Sequence, residues 1–164
     1  MLIAILSDTH DNVPAILAAL RLLTPHKPNL YLHAGDITSS TTLDLFEGLP
    51  LHFVLGNSEY DPADIRRRAG ELSLVCHGYC AKLALDGKRL GMCHGHDARV
   101  IGELAAAEFD YIIAGHSHER EDMRFGSPPN IRYINPGALF RTGSPSVALL
   151  DLAIDKLTFI NVRA

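Results

Sequence analysis

Leu2-Ile3-Ala4-Ile5-Leu6-Ser7-Asp8-Thr9-His10 begins with an unbroken apolar run and stops at an acid and an imidazole two residues apart. Such a run, with isoleucine at alternate positions, predicts a strand from Leu2 to Leu6 that is buried on both faces. Asn12 then offers a helix cap, and Pro14 falls in a first turn, where its missing N–H costs nothing. Apolar residues continue at helical spacing from Val13 to Leu23.

The same succession recurs. Asn29 to His33 reads as a strand ending in Ala34-Gly35-Asp36, Ser39-Ser40 opens a helix through Phe46, and Leu51 to Leu55 is a strand ending in Gly56-Asn57. Alternation of this kind implies a parallel sheet with helices packed on it. A short helix is expected near Ala63 to Ala69, followed by strands at Leu72 to Cys76, Cys80 to Leu85 and Arg89 to Cys93. Asp86-Gly87 between the last two is a hairpin signal. A further helix, Val100 to Ala107, leads to a strand from Tyr111 to Ala114 and then Gly115-His116. Strands at Ile131 to Ile134, Val147 to Ala153 and Leu157 to Val162 complete the pattern, the last pair turning at Asp155-Lys156. The expected class is mixed α/β, with enough strands for two sheets flanked by helices.

Composition sets the outer bounds. A chain of 164 residues, 47% apolar and 21% charged, suits one globular domain spanning residues 1–164. Its formal net charge of −4 gives no electrostatic reason to hold nucleic acid, and Arg66-Arg67-Arg68 with Glu71 reads as a solvated helix face. No apolar stretch is long enough to span a bilayer, and the first residues lack a signal peptide's basic lead, so a cytoplasmic protein is expected. Cys76, Cys80 and Cys93 match neither a disulfide framework nor paired zinc motifs and read as reduced thiols. A structural zinc held by Cys76, Cys80 and His77 is the weaker alternative.

Groups able to bind metal follow an apolar strand five times: Asp8-Thr9-His10, Gly35-Asp36, Gly56-Asn57, His94-Gly95-His96 and Gly115-His116-Ser117-His118. Any one of these is ordinarily a turn or a cap. Five together point to one crevice, because loops at the carboxyl ends of parallel strands converge. Imidazole, carboxylate and amide oxygen without thiolate suit Mn²⁺, Fe²⁺, Zn²⁺ or Co²⁺. Seven ligands, Asp8, His10, Asp36, Asn57, His94, His116 and His118, are too many for one such ion and suit two. Two ions held roughly 3.5–4 Å apart clamp a phosphoryl group and activate a water. The carboxylates of Asp8 and Asp36 with a bridging hydroxide leave that site net positive, which favours an anionic ester.

The ordered set D-x-H, G-D, G-N, H-G-H and G-H-x-H resembles the calcineurin-like metallophosphoesterase superfamily. Asn135-Pro136-Gly137 extends the resemblance to its small single-domain phosphodiesterase branch. The resemblance implies two facing mixed β-sheets sandwiched between outer helices, a four-layer fold. It implies that Asp8, His10 and His118 hold one ion, that Asn57, His94 and His116 hold the other, and that Asp36 bridges both. It further implies hydrolysis of small-molecule phosphodiesters by a metal-bound hydroxide, with Mn²⁺ expected first and Ni²⁺ next. Homo-oligomerisation stays open.

Many members of the superfamily carry His after the motif Asn and the small branch often has Cys, whereas this chain has Ser58. Losing a general acid there predicts slow turnover of esters with poor leaving groups, since such help is worth ~10²–10⁴-fold. His96 is the candidate substitute, with a surface role as its alternative. Ser58 and Arg141 are candidates for substrate contact, the latter through its bidentate fork. Glu59 could orient a ligand imidazole, and His33 reads as a packed group. Two other functions compete. A non-catalytic interaction scaffold, as in the retromer subunit of this superfamily, would not need so complete a ligand set. A nuclease would need a basic surface.

Overall fold

The computed structural model describes residues 1–107, 109–126 and 131–163. One sheet contains β1 (Leu2–Leu6), β2 (Leu30–His33), β3 (Leu51–Phe53), β4 (Val75–Cys76), β10 (Ser146–Asp151) and β11 (Lys156–Asn161). Its order is β11-β10-β1-β2-β3-β4. The second contains β5 (Cys80–Leu85), β6 (Lys88–Cys93), β7 (Tyr111–Ile113), β8 (Arg120–Phe125) and β9 (Ile131–Pro136), in the order β5-β6-β7-β9-β8. β1 to β4 pair in parallel, as do β6, β7 and β9, while β5, β8, β10 and β11 join antiparallel.

Strand period explains the layering. Along β1, Ile3 and Ile5 enter a core shared with Leu90, Met92, Ile113 and Ile134 of the other sheet. Ala4 and Leu6 face the opposite way, onto Ile16 and Leu23 of α1 (Val13–Leu23) and Ile65 of α2 (Pro62–Glu71). Beyond the second sheet, Ile112 and Cys93 pack with Leu104 of α3 (Ala98–Ala106). Helices, sheet, sheet and helix therefore form four layers, as the family resemblance implies. β1 and β7 are apolar at every position because each of their faces meets a different core.

Several local expectations change. Ser40–Phe46 is a 3₁₀ segment rather than an α-helix. The strand expected from Leu72 is cut to Val75–Cys76, because the N–H groups of Leu72 and Leu74 close the end of α2 on Arg68 and Ala69. β8 was not foreseen: Arg-Glu-Asp-Met-Arg-Phe forms a sheet edge with Arg120, Asp122 and Arg124 on one face and only Met123 and Phe125 as apolar residues on the other. The Asp86-Gly87 hairpin is as expected, with φ of 50° and 76° matching a type I′ turn. Arg66 to Arg68 form no basic stripe: Arg67 pairs with Asp64 and Glu71, and Arg68 with Asp44 and Glu71. The three cysteines are free, with Cys80 opposite Cys93 across β5 and β6. No helix among the described residues is long and apolar enough to cross a membrane.

Candidate metal centre

The loops after β1, β2, β3, β6 and β7 meet at one end of the two sheets. Backbone bonds stitch them together: Asp8 N–H donates to Gly35 O (3.1 Å), His10 N–H to Asp36 O (3.0 Å) and Gly115 N–H to His94 O (2.8 Å). Asp8, His10, Asp36, His116 and His118 have φ of 52°, 41°, 61°, 70° and 60°, a left-handed conformation uncommon outside glycine. Asn135, fully buried in the N-P-G segment, donates to Gly115 O and Ser117 Oγ and accepts from Gly137 N. That segment thus holds the loop carrying His116 and His118.

The side chains form two overlapping groups of potential ligands, Asp8 with His10 and His118, and Asp8 with Asp36 and His94. His118 Nε2 lies 3.2 Å from Asp8 Oδ1, His10 Nε2 3.2 Å from Asp36 Oδ2, and His94 Nε2 3.3 Å from Asp36 Oδ1 and 3.9 Å from Asp8 Oδ1. Although these atoms are close, Asp8 Oδ1, His10 Nε2 and His94 Nε2 are buried without a hydrogen-bond partner. Buried polar atoms left in this state are costly unless a further group completes them. Lone pairs converging from carboxylates and imidazoles are what a divalent cation completes, so the donor set fits metal.

A family model described as the calcineurin-like phosphoesterase superfamily domain matches residues 1–155. The chain belongs to the calcineurin-like phosphoesterase superfamily. Among its relatives is a phosphodiesterase of Methanocaldococcus jannaschii, 28% identical over 159 residues that cover 92% of this chain and 93% of that protein. A solved archaeal phosphodiesterase superposes with a TM-score of 0.90 at 24% identity, covering 99% of this chain and all of the other. Zinc-complexed Vps29 of Entamoeba histolytica superposes at 0.67 with 19% identity, covering 98% and 99%. Relatives named as a phosphodiesterase and as a probable metallophosphoesterase support a hydrolase of this superfamily, and its Asp and His groups suit divalent metal.

The electrostatics of this calcineurin-like centre show a demand for positive charge. Burial works against both partners, yet His94 and the Ser58 hydroxyl and N–H hold Asp36 below the usual carboxylate range. Asp36 and Asp8 reciprocally lift His94 above an ordinary imidazole despite its burial. Burial and the neighbouring His94 lower His116, keeping its lone pair free. His94 Nδ1 faces Ala34 O at 2.8 Å, which fixes the tautomer and aims Nε2 at the carboxylates.

Asn57 is exposed at the mouth, its N–H donating to Asp36 Oδ1 (2.9 Å). Together with His10, Asp36, Ser58, His116, His118 and Arg141 it lines a cleft of about 570 Å³. Ser58 Oγ lies 3.4 Å from His10 Nδ1 and 3.3 Å from Thr38 Oγ1, so it braces a ligand imidazole as well as facing the cleft. His96 is exposed and lies outside that cleft, its ring 6.1 Å from that of His116. Glu59 orients no imidazole; its carboxylate instead accepts from the N–H groups of Ile37 and Gly56 and ties two ligand loops together. Sequence reasoning missed Phe140, which packs on His10 at 5.0 Å under the Arg141 guanidinium, and Tyr60 across the cleft. Neither sits in a recognisable motif, so only the fold reveals them.

His33 is fully buried beside Thr9, and burial, then neighbouring His94, lowers it to about 3. Unfolding restores an ordinary value near 6.5, so the unfolded chain gains a proton first as pH falls. The stability that neutral His33 contributes is complete above about pH 6.5 and is lost progressively toward pH 3. Urea unfolding of metal-free protein at pH 7 and pH 4 is expected to show a loss of ~3 kcal/mol from this residue. An identical pH dependence in His33→Gln would remove His33 as its source.

Proposed function

We propose that this protein hydrolyses small-molecule phosphodiesters at a dinuclear divalent metal site, with manganese the metal to test first. The observation that carries the reading is the set of buried, unpartnered donor atoms on Asp8, His10 and His94 at the floor of an open cleft. Asp8, His10 and His118 are assigned to one ion, Asn57, His94 and His116 to the other, and Asp36 to both. When bound, the two ions supply Lewis acidity toward the phosphoryl oxygens and lower the pKa of water. Ser58 and Arg141 are assigned to contact the phosphate, while Phe140 and Tyr60 give organic ester arms apolar surface. A diester carries two such arms and a single negative charge, which suits a wide cleft better than a compact dianion pocket.

The test is hydrolysis of bis(p-nitrophenyl) phosphate against p-nitrophenyl phosphate by metal-stripped protein reloaded with Mn²⁺, beside His116→Ala. Diester turnover that requires metal and collapses in the variant is expected. Absence of turnover in protein shown to hold two ions would instead favour a binding scaffold, a reading that the structural likeness to Vps29 keeps in view.

A further inference from the structure

A second cavity, of about 240 Å³, lies beside the metal cleft and shares none of its lining residues. Its wall toward the metals is His94, whose ring centre is 5.5 Å from that of His96 and 5.2 Å from that of His116. The remaining lining comes from Tyr79 in the turn before β5, Cys93 at the end of β6, and Asp97, Arg99 and Val100 at the start of α3. None of Tyr79, Arg99 or Val100 belongs to a metal-binding motif, and the cavity is more apolar than polar.

We propose that this cavity is the subsite for one ester arm of the substrate, and that the arm is a planar, uncharged aromatic or heteroaromatic group. This rests on the phosphodiesterase reading. Size is the first argument: whole small-molecule ligands take roughly 300–1,000 Å³, so the cavity suits a fragment whose remainder lies elsewhere. Chemistry is the second. Tyr79, half exposed, and the exposed His96 offer ring surfaces against which a flat group stacks. Val100 and buried Cys93 supply apolar contact. Charge is the third. Arg99 is the only cation among the lining residues apart from the imidazoles, and Asp97 pairs with it at 3.2 Å. Among the lining residues that pair leaves no unpaired guanidinium for a second phosphate, whereas a neutral ring loses nothing; Arg66, outside the lining, lies 6.0 Å from the centre of the Tyr79 ring.

Phenylphosphonate and methylphosphonate isolate one arm at the metal site, and calorimetry on protein reloaded with Mn²⁺ measures their binding without catalysis. The phenyl compound is expected to bind about fivefold more tightly, as one aromatic contact provides. In Tyr79→Ala and in Val100→Phe, which removes the ring surface or fills the space, that preference is expected to fall to near unity with methylphosphonate affinity unchanged. No phenyl preference in the unsubstituted protein, or a preference untouched by both substitutions, would overturn the subsite while leaving the phosphodiesterase reading intact. If methylphosphonate itself fails to bind the reloaded protein, the phosphoryl site is overturned and the subsite with it.

Discussion

Asp36→Asn is expected to lower metal-dependent diester turnover about 10³-fold and to reduce bound Mn²⁺, measured by elemental analysis, to one ion or fewer per chain. Asp36 reaches both halves of the centre: Oδ2 faces His10, while Oδ1 faces His94 and accepts from the N–H groups of Asn57 and Ser58. An amide of the same shape cannot satisfy all four. If its oxygen accepts from the two backbone N–H groups, its NH₂ turns toward His10 and blocks a ligand position; if it flips, two donors face two donors. Either arrangement removes a negative charge that holds the ions, and each ion contributes several kcal/mol of transition-state stabilisation, which at 1.36 kcal/mol per decade corresponds to the stated loss. Two ions retained with full turnover would show that Asp36 does not bridge them.

Gly56→Ala is expected to damage the centre nearly as much without touching a ligand. A Cβ at Gly56 would stand 2.1 Å from Asp36 Oδ1 and 2.7 Å from Asp36 N, so both the carboxylate and its backbone must move. Misplacing a group by about 1 Å costs on the order of 10²-fold in rate, and Mn²⁺ affinity should fall with it. Gly70→Ala is the matched control. Its Cβ meets nothing within 4 Å, and its place in α2 predicts a gain of about 0.5–1 kcal/mol in unfolding free energy with activity unchanged. Equal activity in the two variants would mean that the Gly56 loop yields freely and that close packing does not position Asp36.

What could be read in advance divides along physical lines. β1 and β7 carry apolar residues at every position and β2 at all but its last, His33, because two cores demand it, and these strands could therefore be located from pattern alone. The ligand set was legible for a related reason: a polar group straight after such a strand has nowhere to go but the shared end of the sheets. β8 was illegible because an edge strand can keep one face charged, and its Arg-Glu-Asp start resembles a loop. Ser40–Phe46 has an amphipathic pattern, with Leu43 and Phe46 buried, that fits a 3₁₀ turn as well as an α-helix. By residue type Glu59 could orient an imidazole, as carboxylates commonly do, whereas its reach is set by the turn that brings Ile37 and Gly56 N–H groups within 3.2 Å and 2.9 Å. His96 and Tyr79 show the opposite difficulty. Residues 14 or more positions apart come to line one cavity only through the β5–β6 hairpin and the cap of α3.

Of the five candidate ligands in left-handed backbone conformation, Asp8, His10 and Asp36 are tied from loop to loop by backbone hydrogen bonds, and His116 by its N–H to Asp8 Oδ2. Outside glycine that conformation is disfavoured by roughly 1–2 kcal/mol per residue, a debt settled when the chain folds. On the proposed reading, ions would meet a preformed socket instead of assembling one. A socket that cannot contract or widen discriminates by ionic radius and coordination number, so preference among Mn²⁺, Ni²⁺ and Zn²⁺ should reflect fit to fixed spacings, and a larger, more pliant ion such as Ca²⁺ should be a poor occupant.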